Sequence, residues 1–392
     1  MNEMKQICEE FLRESMDFND VPGLAIGVMA GDETWTGTAG VRDVTTKDPL
    51  NPGDVFNCAS VSKLFTSLAI MKLVDGGYLD TEDQLADILP DLDLKDPRWE
   101  KIRLGQMLSH MSGMDDLEDY HWEEDLTGED ALRDYVYSDE VRQLPLLWAP
   151  GEGEFSYSNV AYEMLGYIVS LYSKDFTGGE QLSYEDFVKR FLMEPAGMSE
   201  STMKTFARFG VRDGEVCPLI TEAIREKNRE GDPDWKPMAL PHEKREDRDI
   251  VPVKYYPYTR AHGPSSTLTS TLSDLLRWGK AILESMEDPE GPLKLSGACW
   301  EKILGEYAQV PKNKERMGLG FFRRRQEGAW LMGHEGTDDG FRSSFWVCPE
   351  RKTVTVVLSN LSKAPVKKIN KKLFTRLTEG GVVMEECPPA EE

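Results

Sequence analysis

The sequence predicts an α/β (α+β) fold, in which an antiparallel sheet flanked by helices is built from both chain ends around an inserted all-helical domain. Two observations predict this arrangement. Strand patterns occur near the N-terminus and return near the C-terminus, whereas residues from about 80 to 262 carry helical patterns only. Because the strands of one sheet share a hydrophobic core, we expect the two terminal regions to fold together around the insert.

The N-terminal region begins with an amphipathic helix and continues into a predicted β-hairpin. The apolar run 24–29 is followed by a turn at Gly31-Asp32 and by residues 34–41, which are rich in β-branched side chains and glycine. Residues 61–74 (VSKLFTSLAIMKLV) are apolar on nearly every face and end at Gly76-Gly77. This pattern predicts a central helix that is buried on all sides.

The middle of the chain is predicted to be helical, with loops rich in Asp, Gly and Pro. Four segments show helical patterns: 104–110, 129–136, 160–173 and 184–193. Residues 205–258 are highly charged and contain six prolines, so we expect a long surface excursion such as a lid or a mobile loop.

The C-terminal region is predicted to form a helix, over 272–284, and then an antiparallel meander. Its strand patterns cover 330–332, 341–347 and 353–358, and a turn at 349–352 joins the last two. The resulting division of the chain is a sheet domain of residues 1–79 and 263–380, a helical insert of residues 80–262, and a disordered acidic tail of residues 381–392.

Composition restricts the possible functions. The 392 residues include 46 Lys and Arg against 70 Asp and Glu, and the net charge of −24 would repel nucleic acid. The mean hydropathy of −0.48 and the lack of an apolar run of about 18 residues predict no membrane span. Acidic residues interrupt the N-terminal segment and predict no signal peptide, and the six scattered cysteines are typical of reduced thiols, so we expect a cytoplasmic protein. The histidine and cysteine spacing predicts no metal, and no cofactor is expected.

The first candidate catalytic pair is Ser60 and Lys63, at the start of the buried helix. A spacing of three residues places both side chains on one helical face, close to the free N–H groups of the helix N-terminus. A lysine whose pKa is lowered by burial can take a proton from a serine hydroxyl and make it nucleophilic. The alternative is structural: Ser60 caps the helix and Lys63 reaches the surface.

Two further motifs carry side chains that can act on a carbonyl substrate. Tyr157 and Asn159 lie in a short segment before a predicted helix, where a tyrosine can shuttle a proton and an asparagine can hold an amide or ester carbonyl. His334, Gly336 and Thr337 end the predicted strand 330–332. Each motif alone has a structural alternative, namely a helix cap with a packed tyrosine for the first and a structural histidine for the second.

The order Ser-x-x-Lys, Tyr-x-Asn and His-x-Gly resembles the serine beta-lactamase and penicillin-binding-protein superfamily, and in particular its branch of class C beta-lactamases, esterases and D-aminopeptidases. The resemblance covers roughly residues 20–362. Four supporting segments occur in family order: LGQMLSHMSG (104–113), PAGMS (195–199), HGPSSTLTSTLSDL (262–275) and the strands that end in VVLSN (340–360).

The resemblance implies a role for each motif residue. Ser60 matches the acylated nucleophile, Lys63 the residue that activates it, Tyr157 the general base and acid, and Asn159 an amide that orients the substrate. The backbone N–H groups of Ser60 and Thr337 match the oxyanion hole.

His334 stands where the related enzymes carry the Lys of a K-T-G motif, and Gly336 completes the His-x-Gly pattern. A lysine is a fixed cation that suits a beta-lactam carboxylate, whereas a histidine is largely neutral near pH 7. We therefore expect weak or no beta-lactam hydrolysis.

These observations favour a serine hydrolase that forms an acyl-enzyme on Ser60 and cleaves a small-molecule ester, amide or peptide. One alternative passes the acyl group to a small-molecule acceptor, and another is a true beta-lactamase or D,D-peptidase. A third, non-catalytic binding, is opposed by the presence of Ser60, Lys63 and Tyr157 together. The sequence carries no signal for the oligomeric state.

Two segments of the chain carry charges of almost a single sign. Residues 115–130 contain nine acids and no Lys or Arg, and are expected either to be a solvated loop or to border the cleft and favour amines over anions. Residues 363–376 carry five lysines and an arginine without an acid, and predict a packed terminal helix with a charged outer face, with membrane or polyanion contact as the alternative.

Overall fold

An eight-stranded antiparallel sheet lies at the centre of the computed structural model, which describes residues 3–117, 119–124, 127–217, 219–246, 248–311 and 314–383. Its strands, with their bounds, follow one another across the sheet in the order β2 (Glu33–Gly40), β1 (Gly23–Ala30), β12 (Thr353–Ser359), β11 (Phe341–Cys348), β10 (Ala329–Asp338), β9 (Phe322–Gln326), β8 (Arg316–Met317) and β7 (Ala308–Gln309). The remaining strands form two short pairs, β3 (Phe56–Asn57) with β6 (Thr269–Ser270) and β4 (His242–Lys244) with β5 (Ile250–Pro252).

The two chain ends meet inside this sheet, as predicted. β1 pairs with β2 on one side and with β12 on the other, so that Ile26 lies opposite both Gly37 and Val357. The alternating side chains of β1 enter two different cores: Leu24 and Ile26 face one layer of helices, and Ala25 faces the other. The predicted antiparallel fold flanked by helices is confirmed.

Twelve α-helices surround the sheet within the described part of the chain. Their bounds are α1 Glu3–Phe18, α2 Ser62–Asp75, α3 Leu85–Ile88, α4 Leu104–Leu108, α5 Ala131–Val136, α6 Asp139–Gln143, α7 Asn159–Thr177, α8 Tyr184–Val188, α9 Thr221–Arg229, α10 Leu272–Glu287, α11 Gly297–Ile303 and α12 Val366–Glu379. Short 3₁₀ turns occur at Ala59–Val61, Pro97–Lys101, Thr205–Phe209, Arg260–His262 and Pro349–Arg351, and a π-helical turn at Lys189–Met193.

Helices α1 and α12 cover one face of the sheet, and α2 and α10 contribute to the larger core on the other face. In α2 every side chain from Ser62 to Leu73 is buried, which confirms the helix predicted to be buried on all sides. In α12 the apolar Val366, Ile369 and Leu373 are buried, as expected for a packed terminal helix. No helix in the described ranges combines the length and the apolar character needed to cross a membrane.

The helical insert differs from the sequence prediction in one element. Strands β4 and β5 form a short hairpin inside the predicted all-helical region 80–262. Each is three residues long and lies among charged residues and prolines. The sequence therefore shows no alternation of apolar and polar side chains that would predict these strands. The division at residues 79/80 and 262/263 remains a proposal. Residues 384–392, most of the predicted acidic tail, lie outside the described residues.

The predicted surface excursion over 205–258 is largely exposed or partly exposed, but the prediction is incomplete, because several of its residues anchor it in the core. Met238, Leu240 and Tyr256 are fully buried, and the Val55 N–H donates to the Pro237 carbonyl at 2.9 Å. Prolines and charges dominate the composition here, and they concealed the few apolar side chains that anchor the segment.

The C-terminal meander is longer than predicted. The sequence placed the end of a strand at Met332, but β10 continues to Asp338, so that His334 lies inside the strand instead of at its end. The predicted strands at 341–347 and 353–358 are confirmed as β11 and β12. Strands β7 to β9 were not predicted, since they are short and rich in arginine.

Candidate active site

Ser60 lies in the 3₁₀ turn that leads into α2, next to a residue in an uncommon backbone conformation. Ala59 has a φ of 48°, in the left-handed region that non-glycine residues rarely adopt. Its N–H donates to Asn57 Oδ1 at 2.6 Å, which holds the turn in place. Strained residues of this kind cluster at functional sites. Ser60 is buried except for a small surface that lines a cleft.

Lys63 follows one turn later and is completely buried, so the structure excludes the alternative of a surface lysine. Its Nζ donates to Ser60 Oγ at 3.2 Å, to the Ser265 carbonyl at 2.9 Å and to Asn159 Oδ1 at 2.5 Å. These three partners match the three donors of an ammonium group. A neutral amine keeps two donors and gains a lone pair, which can accept from the serine hydroxyl.

Burial lowers the pKa of Lys63 to about 8, because the low-dielectric interior disfavours the ammonium form. The nearby carboxyl groups of Glu163, Asp116 and Asp338 oppose this effect. A free lysine near pH 7 is almost wholly charged, whereas a lysine with this pKa has a substantial neutral fraction. The Ser60–Lys63 pair therefore has the geometry and the acidity needed for proton transfer.

Tyr157 lies on the cleft side of the same pair. Its half-buried ring has its centroid 4.9 Å from Lys63 Nζ and stacks on His110 with centroids 4.3 Å apart. Burial raises the pKa of the Tyr157 phenol well above its usual range, and a hydrogen bond with Ser60 acts in the opposite direction. The phenol is thus protonated at neutral pH.

Asn159 is the first residue of α7, and its side-chain amide is fully engaged. Its Oδ1 accepts from Lys63, and its Nδ2 donates to Asp116 Oδ2 at 2.6 Å and to the Tyr120 hydroxyl. The preceding Ser158 caps α7 by accepting from the Ala161 N–H at 3.2 Å. This segment therefore caps a helix, which was the structural alternative, and it also holds Lys63. A contact of Asn159 with the substrate stays a prediction.

Strand β10 approaches the Ser60 turn where Gly336 lies. A Cβ on Gly336 would come within 2.0 Å of Ser343 Oγ and 2.5 Å of the Cys58 carbonyl, so only glycine allows this approach. Ser343 Oγ also donates to the Cys58 carbonyl at 2.6 Å and joins the sheet to the turn. Thr337, the next residue, is exposed and lines the cleft beside Ser60.

His334 lines the same cleft but is almost wholly buried. Its Nδ1 donates to the Glu335 carbonyl at 2.6 Å, which leaves Nε2 as the acceptor nitrogen of the ring, without a hydrogen-bond partner among the described residues. Burial and the positive charge of Lys63 lower the pKa of His334 to about 3. The imidazole is therefore neutral across the physiological range.

The cleft has a volume of about 690 Å³, and five of the seven predicted site residues line it. Ser60, Tyr157, Asn159, His334 and Thr337 line it, and Lys63 lies directly behind Ser60. Gly336 supports its floor through the contact with the turn. A larger cavity of about 1060 Å³ between α1 and α12 contains none of these residues.

Sequence reasoning missed several charged and aromatic residues of the cleft. These lining residues are Tyr120, Trp122, Asp338, Asp339, Arg342, Lys363 and Lys367, whereas Asp119 belongs to the acidic run that was expected to border the cleft. Arg342 lies opposite Thr337 in the β10–β11 ladder, so the register of that hairpin would have placed it here. No local signal indicates Tyr120 or Trp122, whose rings stack 5.1 Å apart at the cleft.

Asp338 is the most perturbed carboxyl group of the cleft. It accepts a hydrogen bond from Ser266 Oγ, and burial raises its pKa to about 8, although this hydrogen bond opposes the shift. Its neighbour Asp339 adds to the increase by repulsion. Arg342 and this carboxyl pair offset part of each other's charge within the cleft.

The acidic run 115–130 borders the cleft, as one of its two interpretations expected. Asp119 lines the cleft, and Asp116 accepts from the backbone N–H of Asn159 at 3.0 Å. Glu118 and residues 125–126 lie outside the described residues. In the described part of the chain, Asp119, His121 and Glu123 bring ligand atoms within 4.8 Å of one another, but they lie in an exposed acidic loop.

Comparisons with known proteins show the family of this chain. The beta-lactamase family model matches residues 9–378. Penicillin-binding protein 4 of Amycolatopsis lactamdurans is 27% identical over 348 residues, which cover 87% of this chain and 81% of the relative.

Two solved structures share the fold. The D-amino acid amidase from Ochrobactrum anthropi SV3, complexed with D-phenylalanine, has a TM-score of 0.73 and 19% identity, covering 96% of this chain and 99% of the amidase. The octameric penicillin-binding protein homologue from Pyrococcus abyssi has a TM-score of 0.71 and 23% identity, covering 96% of this chain and 77% of the homologue.

Proposed function

Because this chain belongs to the beta-lactamase family of serine hydrolases, we propose that it forms an acyl-enzyme on Ser60 and hydrolyses small esters or amides. The observation that carries the proposal is the 3.2 Å contact between Lys63 Nζ and Ser60 Oγ at a cleft large enough for a small substrate. A buried lysine with a lowered pKa beside an accessible serine is the arrangement that nucleophilic catalysis requires.

In the acylation step, neutral Lys63 takes the proton of Ser60 while Ser60 Oγ bonds to the carbonyl carbon of the substrate. Asn159 Oδ1 and the Ser265 carbonyl hold the two N–H groups of the amine, so its lone pair points to the serine. The tetrahedral intermediate then expels the alcohol or amine, which leaves with a proton. Tyr157, protonated and beside the reacting serine, supplies that proton and regains one from Lys63.

The negative charge that develops on the carbonyl oxygen is stabilised by backbone donors. We assign this role to the N–H groups of Ser60 and Thr337, which come from the turn and from β10. The close approach at Gly336 brings these two elements together. Water then attacks the acyl-enzyme, the bond to Ser60 Oγ breaks, and the acid is released while Ser60 regains its proton.

The environment of His334 supports neutral or amine-bearing substrates. A neutral imidazole offers no fixed cation for a beta-lactam carboxylate, whereas Asp119, Asp338 and Asp339 line the cleft with carboxyl groups. The amidase neighbour complexed with D-phenylalanine supports a small amide as one substrate class. We therefore propose that short neutral or cationic esters and amides are cleaved better than penicillins.

A second candidate is the hydrolysis of carboxylate-bearing amides, as in a D,D-peptidase. Arg342, Lys363 and Lys367 favour it, because they are cations that line the cleft. Two of them have carboxyl groups nearby: Arg342 faces Asp338 and Asp339, and Lys367 Nζ lies 2.8 Å from Glu315. The first candidate is therefore preferred.

The test is covalent labelling with a fluorophosphonate probe. We expect one adduct by intact mass, located on the peptide that contains Ser60, because among the described serines that line the cleft it is Ser60 that contacts a buried lysine. Ser60→Ala should lose both the adduct and the hydrolysis of p-nitrophenyl acetate. Ser362→Ala is the matched control, since Ser362 also lines the cleft. Labelling that persists in Ser60→Ala would overturn the assignment.

A further inference from the structure

A buried carboxyl group lies near Lys63, outside the lining of the substrate cleft. Glu163, on α7, has no exposed surface, and it does not line the cleft. A buried carboxylate is costly unless it is paired or hydrogen-bonded, and an apolar side chain would fill the same space at less cost. Its presence inside the core therefore needs an explanation.

A chain of contacts joins Glu163 to the nucleophile. Ser265 Oγ donates to Glu163 Oε1 at 2.5 Å, and the carbonyl of the same Ser265 accepts from Lys63 Nζ at 2.9 Å. His262 Nδ1 donates to the same Glu163 oxygen at 3.1 Å. Burial raises the pKa of Glu163, whereas the hydrogen bonds from His262 and Ser265 oppose this shift and favour the ionised carboxylate. Its Oε2 has no hydrogen-bond partner among the described residues.

We propose that Glu163, held by His262 and Ser265, is a positioning residue whose negative charge sets the protonation state of Lys63. This inference rests on the proposed function, in which neutral Lys63 is the base. A carboxylate at this position stabilises the ammonium form of Lys63 and opposes the effect of burial. Lys63 thereby keeps a pKa near neutrality, where one group can both take and return a proton.

Other charges around Lys63 differ from Glu163 in their exposure to substrate. Asp116 precedes α7 and binds Asn159, and Asp338 lies in the cleft beside Ser266. His334 on β10 and His110 after α4 have pKa values lowered by burial and by the charge of Lys63 itself, so both are neutral. Tyr157 is protonated. Glu163 is thus the acid near Lys63 that a bound substrate cannot reach.

The contacts of His262 connect this network to the mouth of the cleft. Its ring packs edge-on against Tyr120, Trp122 and Tyr135, with centroid distances between 4.7 and 5.5 Å. The first two rings line the cleft. The three ring contacts and the hydrogen bond to Glu163 together fix the orientation of the imidazole.

The experiment compares the pH dependence of kcat/KM for p-nitrophenyl acetate in the parent enzyme and in Glu163→Gln. The glutamine keeps an oxygen acceptor for Ser265 and His262 but removes the charge. We expect the midpoint of the acid limb to move about 0.5–1 pH unit lower, since the loss of one buried opposite charge lowers the pKa of Lys63. Glu226→Gln, at an exposed position on α9, is the matched control and should leave the midpoint unchanged.

Ser265→Ala is the second variant, in case Glu163→Gln does not fold. It keeps the carbonyl that binds Lys63 but removes one donor to Glu163, which raises the pKa of that carboxyl group and favours its neutral form. The midpoint should again move lower, by a smaller amount. Thermal unfolding of each variant identifies those that are folded.

A folded Glu163→Gln that loses rate at every pH without a change in the midpoint would overturn the proposal, because a merely structural role gives that result. If the proposed function itself is wrong, the fluorophosphonate probe does not label Ser60 in the parent enzyme. If Ser60 is labelled and the midpoint does not move in either folded variant, the positioning role alone is wrong.

Discussion

Lys63 shows how the surroundings of a residue decide between two roles that its sequence position leaves open. The S-x-x-K spacing predicts that it shares a helical face with Ser60, but not that it is completely buried. Burial lowers its pKa to about 8, and three oxygen partners fix its amine. Spacing therefore brings the pair together, and the surrounding residues set the pKa of the lysine.

The pH dependence of acylation follows from this pKa. The base must be neutral, so the rate should rise as pH increases through about 8 and level off above it, whereas an unperturbed lysine would extend the rise to about 10.5. Labelling rates of Ser60 measured between pH 6 and 10 check this expectation. A rate that decreases over this range would contradict Lys63 as the base.

Removing either proton-transfer group should reduce turnover strongly. We expect Lys63→Ala and Tyr157→Phe each to lower kcat by about 100-fold or more, as is common for general acid–base groups. Phe191→Leu, far from the cleft on the Lys189–Met193 turn, serves as an unrelated aromatic control. Near-normal rates in either active-site variant would assign the base to another residue.

We expect His334 to influence which substrates the cleft prefers. Replacing it by Lys puts a cation where the imidazole is neutral, so the ratio of kcat/KM for a carboxylate-bearing ester to that for its neutral counterpart should rise by about tenfold. His334→Gln, which adds no charge, is the control for the change in shape. The reverse ranking in the parent, with a chromogenic cephalosporin turned over faster than p-nitrophenyl butyrate, would contradict the proposed substrate class.

At the scale of elements, the site depends on how closely β10 approaches the turn before α2. Gly336 permits this approach, and Ser343 joins the two elements by its hydrogen bond to the Cys58 carbonyl. The oxyanion donors assigned to Ser60 and Thr337 come from these two elements. Their separation therefore decides whether both donors can reach one oxygen atom.

Gly336→Ala tests this dependence. The added methyl group would overlap Ser343 Oγ and the Cys58 carbonyl, and a backbone carbonyl cannot move aside at low cost. We expect a loss of about 1–3 kcal/mol in the free energy of unfolding and a decrease in kcat of tenfold or more, on the order of what a lost oxyanion donor causes. Gly53→Ala is the control, since no atom lies within 4 Å of its added Cβ. Unchanged turnover in a folded Gly336→Ala would show that the spacing is not critical.

At the scale of the whole molecule, the charges are distributed unevenly around the cleft. The chain carries a net charge of −24, and Asp119 and Asp339 are exposed at the cleft itself. Asp116 differs from them, because it holds Asn159 and the start of α7. The acidic run therefore has a structural part and a part that faces the substrate.

An amine-bearing ester should accordingly have a higher kcat/KM than its anionic counterpart, and the difference should shrink as salt rises. Exposed charges more than about 8–10 Å apart lose most of their interaction at physiological ionic strength. The double variant Asp119→Asn/Asp339→Asn should reduce the preference without changing kcat for a neutral ester.

The control for this prediction is Asp32→Asn/Glu290→Gln, which removes the same charge at exposed positions that do not line the cleft. It should leave the preference as it is. If the cleft variant discriminates as strongly as the parent, or if salt has no effect, a specific contact and not the field of the acidic loop determines the preference.

The fold was largely predictable because its signals are local and strong. Local patterns of apolar residues and turns predict three parts of the fold, namely the hairpin 24–41, the apolar helix 61–74 and the meander near the C-terminus. The same reasoning was incomplete for 205–258, where Met238 and Leu240 anchor a segment that its prolines and charges marked as surface. The predicted end of β10 at Met332 was also too early. Gly333 and Gly336 interrupt the apolar pattern there, although the pairing of β10 with β11 continues to Asp338.

The sequence by itself determined the antiparallel sheet built from both chain ends, and the residue types and order of the motifs that supply Ser60, Lys63, Tyr157 and His334. Such features depend on neighbours along the chain. The tertiary structure alone decided that Lys63 is buried, that His334 is neutral, and that Glu163 and Asp338 lie near the amine. A pKa depends on burial and on the charges of residues that are close in space but distant along the chain. No local sequence pattern contains that information.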